Sequence, residues 1–419
     1  MPLSLKLIFF LLIANQCQLY PTLLPYDDEK NEFQIEFIDL FDHTTLIRDT
    51  KKEYFNLSMS ASALVNEMGM GYDLSNTLDA HISKDTQYDQ GLSSETCWGN
   101  PYTTEEMIDS YVSKGFKSIR IPVTWHNHII DRDYTIDPQW MKRVKKVVDW
   151  AYSKGLYVIL NIHHDDAKYT EGNITYGTGF YLLKKDRVES EKFIYNVWRQ
   201  ISIAFNNGYG ERLIFESLNE PRLVGLDREW WCPADNDTCI EANQVLMEYN
   251  KLALTTVRLS GGNNLVRFMM FPTMGASYDN LAKFNFKVPE DKFNINNDRM
   301  ILSLHMYLPY NFALNEDKTF NVFTKEYQKE LLDDFKYLYD NLITKGTHVI
   351  IGEMGCTDKD NMEERLKYAK FYVENARKHH LCSLLWVVKY DRNDLSWESD
   401  ELIDTYIIAA ETPFSNNPY

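Results

Sequence analysis

Residues 213 to 221 read LIFESLNEP. A short apolar run of this kind is an ordinary buried strand, except that it ends on a carboxylate, Glu220. The same thing happens at residues 350 to 355, IIGEMG, where the acid is Glu353. Apolar runs of similar length stand at 68–75, 118–123, 156–163, 265–273, 300–307 and 381–388, which with 213–220 and 348–355 makes eight. Between them lie segments of helical period. In residues 138 to 154, PQWMKRVKKVVDWAYSK, the apolar Met141, Val144, Val148 and Ala151 recur every three or four positions, lysines and Arg143 take the other face, and Gly155 ends the run. Residues 102–115, 324–346 and 362–379 read the same way. Strands alternating with helices mean parallel βαβ units, and eight of them predict an α/β fold, a single closed (β/α)8 TIM barrel with its active site where the strand C-termini meet the following loops. A doubly wound open sheet is the alternative, but no Gly-x-Gly-x-x-Gly follows the first strand and no Walker sequence occurs.

Composition agrees with a large enzyme. The 419 residues are 44% hydrophobic and 14% aromatic, enough for a large core. The 61 acidic and 44 basic residues leave a net charge of −17, which repels nucleic acid and anionic membranes and is compatible with a neutral substrate. Residues 1–20 read as a secretory signal peptide, with Lys6 ahead of an apolar run from Leu7 to Ala14 that is too short to span a bilayer. Residues 21–61 are expected to be an N-terminal extension and 62–419 the catalytic barrel, secreted and monomeric. In an oxidising compartment Cys232 and Cys239 could close a small loop, while no Cys-x-x-Cys pair suggests structural zinc. Asn56, Asn173 and Asn236 head glycosylation sequons.

The strand ends carry the chemistry. Arg120 closes the second run, His163 and His164 the third, Asn219 and Glu220 the fourth, His305 and Tyr307 the sixth, Glu353 the seventh and Trp386 the eighth. Two facing carboxylates about 5 to 5.5 Å apart are what retaining glycoside hydrolysis needs, one as nucleophile and one as acid and then base. A cationic Arg beside the nucleophile would hold it ionised, and a less solvated Glu among neutral groups would keep the raised pKa of an acid. Each residue also has a plainer reading: a strand-end Glu can cap a helix, His305 can be a satisfied core histidine, and Trp386 can simply pack. The sequence His163-His164-Asp165 has residue types that ligate metals, but adjacent strand residues point oppositely, so hydrogen bonding is expected instead. What favours a site is that such groups gather at six of eight strand ends, which core packing does not require.

With these residues in view, the chain resembles glycoside hydrolase family 5, and within it the subfamily-4 endoglucanases and xyloglucanases. The resemblance runs from about Ala63 to Ile408 and rests on DLSNTLDA at 73–80, IRIPVTWHNHI at 119–129, YVILNIHHD at 157–165, ESLNEPR at 216–222, LHMY at 304–307, IIGEMG at 350–355 and the tryptophan of LLWVV at 384–388. It implies a retaining mechanism on β-linked glucans without metal or cofactor. Carried over by position, Glu220 is the general acid/base and Glu353 the nucleophile. Arg120 and Tyr307 hold the nucleophile, Asn219 binds the sugar 2-hydroxyl, and His163, His164 and His305 line the cleft. Trp386 is the sugar platform, and Asn76, Trp125 and His126 fall where relatives contact the polymer. The implied activity is a secreted endo-β-1,4-glucanase. The alternatives are a xyloglucanase or β-mannanase on the same scaffold, or an inactive glycan-binding barrel. Two segments depart from the usual pattern. Relatives read Gly-Trp-Asn-Leu-Gly-Asn where this chain has Gly71-Tyr72-Asp73-Leu74-Ser75-Asn76, and Asp-Asn-Gly where it has Val387-Val388-Lys389.

Overall fold

The computed structural model describes residues 51–82, 91–169, 172, 174, 176–293 and 298–418, together with the backbone of an antiparallel strand pair, Leu19–Leu23 with Ile35–Asp39. The apolar run from Leu7 to Ala14, Cys17 and Asn173 lie outside the described residues.

Eight parallel strands close into a barrel: β1 (Met70–Asp73), β2 (Ser118–Ile121), β3 (Tyr157–Asn161), β4 (Leu213–Glu216), β5 (Met269–Ser277), β6 (Met300–His305), β7 (His348–Gly355) and β8 (Cys382–Val387). Each strand pairs with its sequence neighbours, and β8 returns to β1 through Ser383 opposite Met70. The strands are buried on both faces, as a helix-covered parallel sheet demands. A short helix, α1 (Ala61–Glu67), precedes the barrel. The long helices that follow are α2 (Glu105–Lys114), α3 (Pro138–Ser153), α4 (Arg187–Ala204), α5 (Asp237–Leu259), α6 (Lys325–Asn341), α7 (Met362–Lys378) and α8 (Asp400–Ala409). Between β5 and β6 the described residues hold only the short helix Tyr278–Lys283.

The ends of α3 show why the helices start and stop where they do. Asp137 accepts from Gln139 N, Pro138 sits at the first helical position where its missing N–H is no loss, and Gly155 takes a φ of +90° just past the end. Its apolar stripe, Met141, Val144, Val148 and Ala151, is buried against the barrel.

Inside the barrel a separate apolar cluster fills the N-terminal half, with Tyr157, Ile159, Ile214, Met270, Ile301, Ile350 and Leu384 from the strands. Leu64, Val65 and Met68, from α1 and its end, close it below, together with Phe55, which is 4% exposed and stacks on Phe268 at 6.3 Å. The segment around Phe55 is hydrogen-bonded to the barrel base, Asn56 N donating to Glu211 and the Arg299 guanidinium to Leu57 O. The packed unit therefore begins before residue 62, inside the stretch expected to be an extension. Among the described residues no helix is long and apolar enough to cross a membrane.

Candidate active site

Strand parity decides which side chains enter the barrel mouth. Ile159, Ile214, Ile301, Ile350 and Leu384 lie in the inner cluster, so two residues further on Asn161, Glu216, Ser303, Gly352 and Trp386 face the mouth. By the same count Glu353 would point outward into the helix layer. It does not, because the pairing of β6 with β7 slips by one residue: Leu304 stands opposite Ile351, but His305 stands opposite Glu353. This bulge turns the carboxylate inward. Gly352 makes room for it. A Cβ there would lie 3.3 Å from His305 Nε2 and 3.5 Å from Glu216 Oε1.

Arg120 is the hub of the floor. Fully buried, it donates from Nε to Glu216 Oε2 at 2.7 Å, from Nη1 to Glu353 Oε1 at 2.8 Å and from Nη2 to Asn219 Oδ1 at 2.7 Å. Burial opposes its charge, but Glu216, Asp73 and Glu353 outweigh burial and hold its pKa far above the usual range. Glu216 is well served, accepting also from Asn161 Nδ2 at 2.9 Å and Ser303 Oγ at 2.6 Å. Asp73 is poorly served: Oδ1 accepts from Arg120 at 3.2 Å and Oδ2 has no hydrogen-bond partner. Burial, reinforced by Glu353, pushes it well above the carboxylate range despite Arg120.

Glu220 and Glu353 meet across the mouth. Carboxylate oxygens of both, and a ring nitrogen of His305, lie within 4.8 Å of one another. His305 Nδ1 is 2.7 Å from Glu220 Oε1 and 3.6 Å from Glu353 Oε2, while Tyr307 donates its hydroxyl to Glu353 Oε2 at 2.7 Å. Burial, reinforced by Glu220, raises Glu353 against the pull of His305, Arg120 and Tyr307. Burial also raises Glu220, but the hydrogen bond and charge of His305 outweigh it, so its pKa falls. Burial lowers His305, yet the two carboxylates prevail and raise it. The sequence expectation was an ionised Glu353 and a proton on Glu220. The directions run the other way, Glu353 raised and Glu220 lowered, with His305 Nδ1 one 2.7 Å hydrogen bond from Glu220.

Nine of the twelve expected site residues come together: Arg120, Asn219, Glu220, His305, Tyr307 and Glu353 as above, and His163, His164 and Trp386 on the wall of a cleft of about 960 Å³. Trp386 stacks on His163, centroids 5.7 Å apart and planes 10° from parallel. His163 and His164 were expected to point oppositely. β3 ends at Asn161, so strand alternation does not reach them, and both rings line the cleft with centroids 4.3 Å apart. They also come within metal-ligating distance of Asp79. Asn161 Oδ1 accepts from Val123 N and its Nδ2 donates to His163 Nδ1, so His163 carries its proton on Nε2, suited to donating into the cleft. Burial, aided by the neighbouring His164 and Arg120, keeps that imidazole neutral.

Three expectations fail. Trp125 is fully buried and donates its indole N–H to Asn161 O at 2.9 Å. His126 is buried on Asp165. Both sit behind the wall of the cleft, hydrogen-bonded to Asn161 and Asp165. Asn76 is exposed, in a left-handed turn that Asp79 caps, outside the lining of the cleft. Glu220, expected to end its strand, stands four residues beyond Glu216, which does end it. The sequence reading passed over Glu216, Asp73, Asn161 and Ser303 on the floor, and the exposed Trp230 and Trp231 on the rim. Parity counted from Ile214 would have found Glu216.

A parallel barrel with two carboxylates facing across its C-terminal mouth, each held by its own donors, defines a hydrolase of glycosidic bonds. The sequence profile of the cellulase family, glycosyl hydrolase family 5, matches residues 82–392. The chain belongs to glycosyl hydrolase family 5. It is 38% identical over 371 residues to Endoglucanase 1 of Ruminococcus albus, covering 84% of this chain and 82% of that protein. To Endoglucanase A of Clostridium longisporum it is 39% identical over 362 residues, spanning 83% of this chain but 65% of that protein's length. Among solved structures it is similar to a family 5 lichenase from Caldicellulosiruptor sp. F32 in complex with cellotetraose, with a TM-score of 0.77 at 33% identity, covering 86% of this chain and 98% of that one. A subfamily-4 broad-specificity endoglucanase from Ruminococcus champanellensis with bound cellotriose gives 0.74 at 33% identity, covering 83% and 98%.

Proposed function

We propose that the protein is an endo-β-1,4-glucanase that cleaves internal bonds of β-glucans with retention of anomeric configuration. The observation that carries this reading is the approach of Glu220 and Glu353 to within 4.8 Å, the short separation of direct nucleophilic attack. Glu353, oriented by Arg120 and Tyr307, attacks the anomeric carbon. Glu220, hydrogen-bonded to His305, protonates the departing oxygen. Once Glu353 is esterified its charge is gone, so His305 loses a neighbour that raised its proton affinity, and Glu220 then serves as base toward water. Asn219, fixed by Arg120, is placed to meet the 2-hydroxyl. Relatives that carry cellotetraose and cellotriose support a glucan backbone.

The test is reducing-sugar release from mixed-linkage β-glucan, xyloglucan and galactomannan in parallel. Glu353→Gln should lower turnover on the cleaved glucan about a thousandfold or more. Cleavage of galactomannan alone would refute the glucan assignment, and undiminished turnover in the variant would refute the nucleophile. We further propose that the enzyme works outside the cell, in keeping with the N-terminal apolar run and with the Cys232–Cys239 disulfide.

A further inference from the structure

A second concavity, of about 690 Å³, lies on the outer face of the barrel and shares no lining residue with the catalytic cleft. One wall is the end of the loop before α2 and the first turn of that helix, with Tyr102, Glu105 and Glu106. The other is the outward face of α3, where Gln139, Lys142 and Lys146 recur every three or four residues on the side turned away from the buried Met141, Val144 and Val148. The two walls are fastened together at the floor. Arg143 of α3 donates from Nε and from Nη2 to the two oxygens of the fully buried Glu95, each at 2.7 Å, and from Nη2 again to Thr103 O at 2.6 Å. Glu95 in turn accepts from Thr103 N at 2.9 Å. A groove bridged in this way is formed before anything enters it. Trp150 also lines it, but the Arg143 guanidinium and the Lys146 ammonium lie 5.5 and 5.0 Å from its ring centre. Tyr102 is 49% exposed, and among the described residues no cation or second ring is packed on it.

We propose that this groove is a second glucan-binding site, with Tyr102 as its stacking ring, which holds a stretch of the polymer outside the cleft while a bond is cut within it. The choice of glucan rests on the endoglucanase reading. The walls themselves select a neutral, polyhydroxylated chain. Glu105 and Glu106 on one side repel a polyanion, and Lys142 and Lys146 on the other repel a polycation, whereas sugar hydroxyls can donate to the first pair and accept from the second. The flat C–H faces of β-linked glucosyl units suit an open aromatic ring. Position agrees with chemistry. Trp98, on the same loop as Tyr102, lies against His164 of the cleft with ring centroids 5.5 Å apart. Four residues of chain, at most about 14 Å of backbone, separate Trp98 from Tyr102, so a polymer running out of the cleft past His164 has little distance to cover. Holding the polymer at a second point raises its concentration at the first, so the groove acts on long substrates and not on the bond-breaking step.

The experiment has a binding arm and a kinetic arm. In native gels cast with mixed-linkage β-glucan, Glu353→Gln protein binds the polymer without consuming it, and adding Tyr102→Ala should weaken the apparent affinity read from its retardation about fivefold, whereas Tyr102→Phe should stay within about twofold. In the active protein Tyr102→Ala should raise KM on the polymer about fivefold, with kcat on the polymer and kcat/KM on cellotetraose held within about twofold. Gln139→Ala/Lys142→Ala, which truncates two exposed side chains of the opposite wall, should weaken retardation in the same direction and carries the test if Tyr102→Ala does not fold. Unchanged retardation in the folded variants overturns the groove as a glucan site. Equal losses on polymer and cellotetraose overturn it as well, because Tyr102 would then be acting through the cleft. If the unsubstituted protein cleaves neither substrate, the endoglucanase reading has failed, and the gels alone decide whether the groove binds glucan.

Discussion

His305 stands between two carboxylates, and its proton sets the pH range in which the site works. Glu353 must be ionised to attack. Because burial raises it above the ordinary value of 4.5, activity should be lost as pH falls through that raised pKa, so the acid limb lies above 4.5. The proton for the leaving group is shared by His305 and Glu220. With His305 raised above 6.5, that proton leaves only as pH rises past this value, which places the alkaline limb above 6.5. Removing the imidazole leaves Glu220 to hold the proton alone, without the partner that lowered it. In His305→Asn the alkaline limb of kcat/KM should therefore move down toward the carboxylate range, while the acid limb, set by Glu353, moves up because the charge that lowered it is gone. A kcat/KM profile in which the alkaline limb stays put would place the shared proton elsewhere.

At the scale of elements, the barrel is closed from below by a segment whose composition does not announce it. Phe55 is buried against Phe268, and Arg299 lies over both rings. Phe55→Ala should lower unfolding free energy by about 3 kcal/mol, read from denaturant midpoints, with kcat on soluble glucan little changed because the site lies at the other end of the barrel. Phe55 serving as a mere tether would show as a loss below about 0.5 kcal/mol. The eight strands, by contrast, were legible in the sequence because each is an apolar run set off by helical segments, and the presence of polar groups at their ends was legible with them. Three kinds of feature were not. Where the strand stops earlier than its apolar run, as after Asn161 and Glu216, alternation no longer says where His164 or Glu220 points. Where the strand bulges, at Gly352, alternation gives the wrong face for Glu353. Trp125 reads as a polymer contact by its place after a strand, yet its indole N–H finds a carbonyl in the wall, and an aromatic ring so satisfied is better buried than wet.

For the whole molecule, a charge of −17 acts at a distance rather than at the bond being cut. A carboxymethylated glucan must approach against that field, and a neutral one need not. Raising ionic strength from 0.01 to 0.15 M shortens the screening length from about 30 to about 8 Å, so kcat/KM on the carboxymethylated polymer should rise severalfold while that on neutral β-glucan stays nearly constant. Equal salt response for both polymers would show that the cleft, not the surface, governs encounter. The catalytic bonds themselves span the molecule in a particular way. β1 to β4 and the loop after them carry Arg120, Asn219 and Glu220, whereas β5 to β8 carry His305, Tyr307 and Glu353. Each acid has an orienting contact that crosses from one half to the other, Arg120 with Glu353 and His305 with Glu220. A chain divided between Leu259 and Met269 thus yields two fragments with one acid each, and sugar release becomes a reporter of their reassembly.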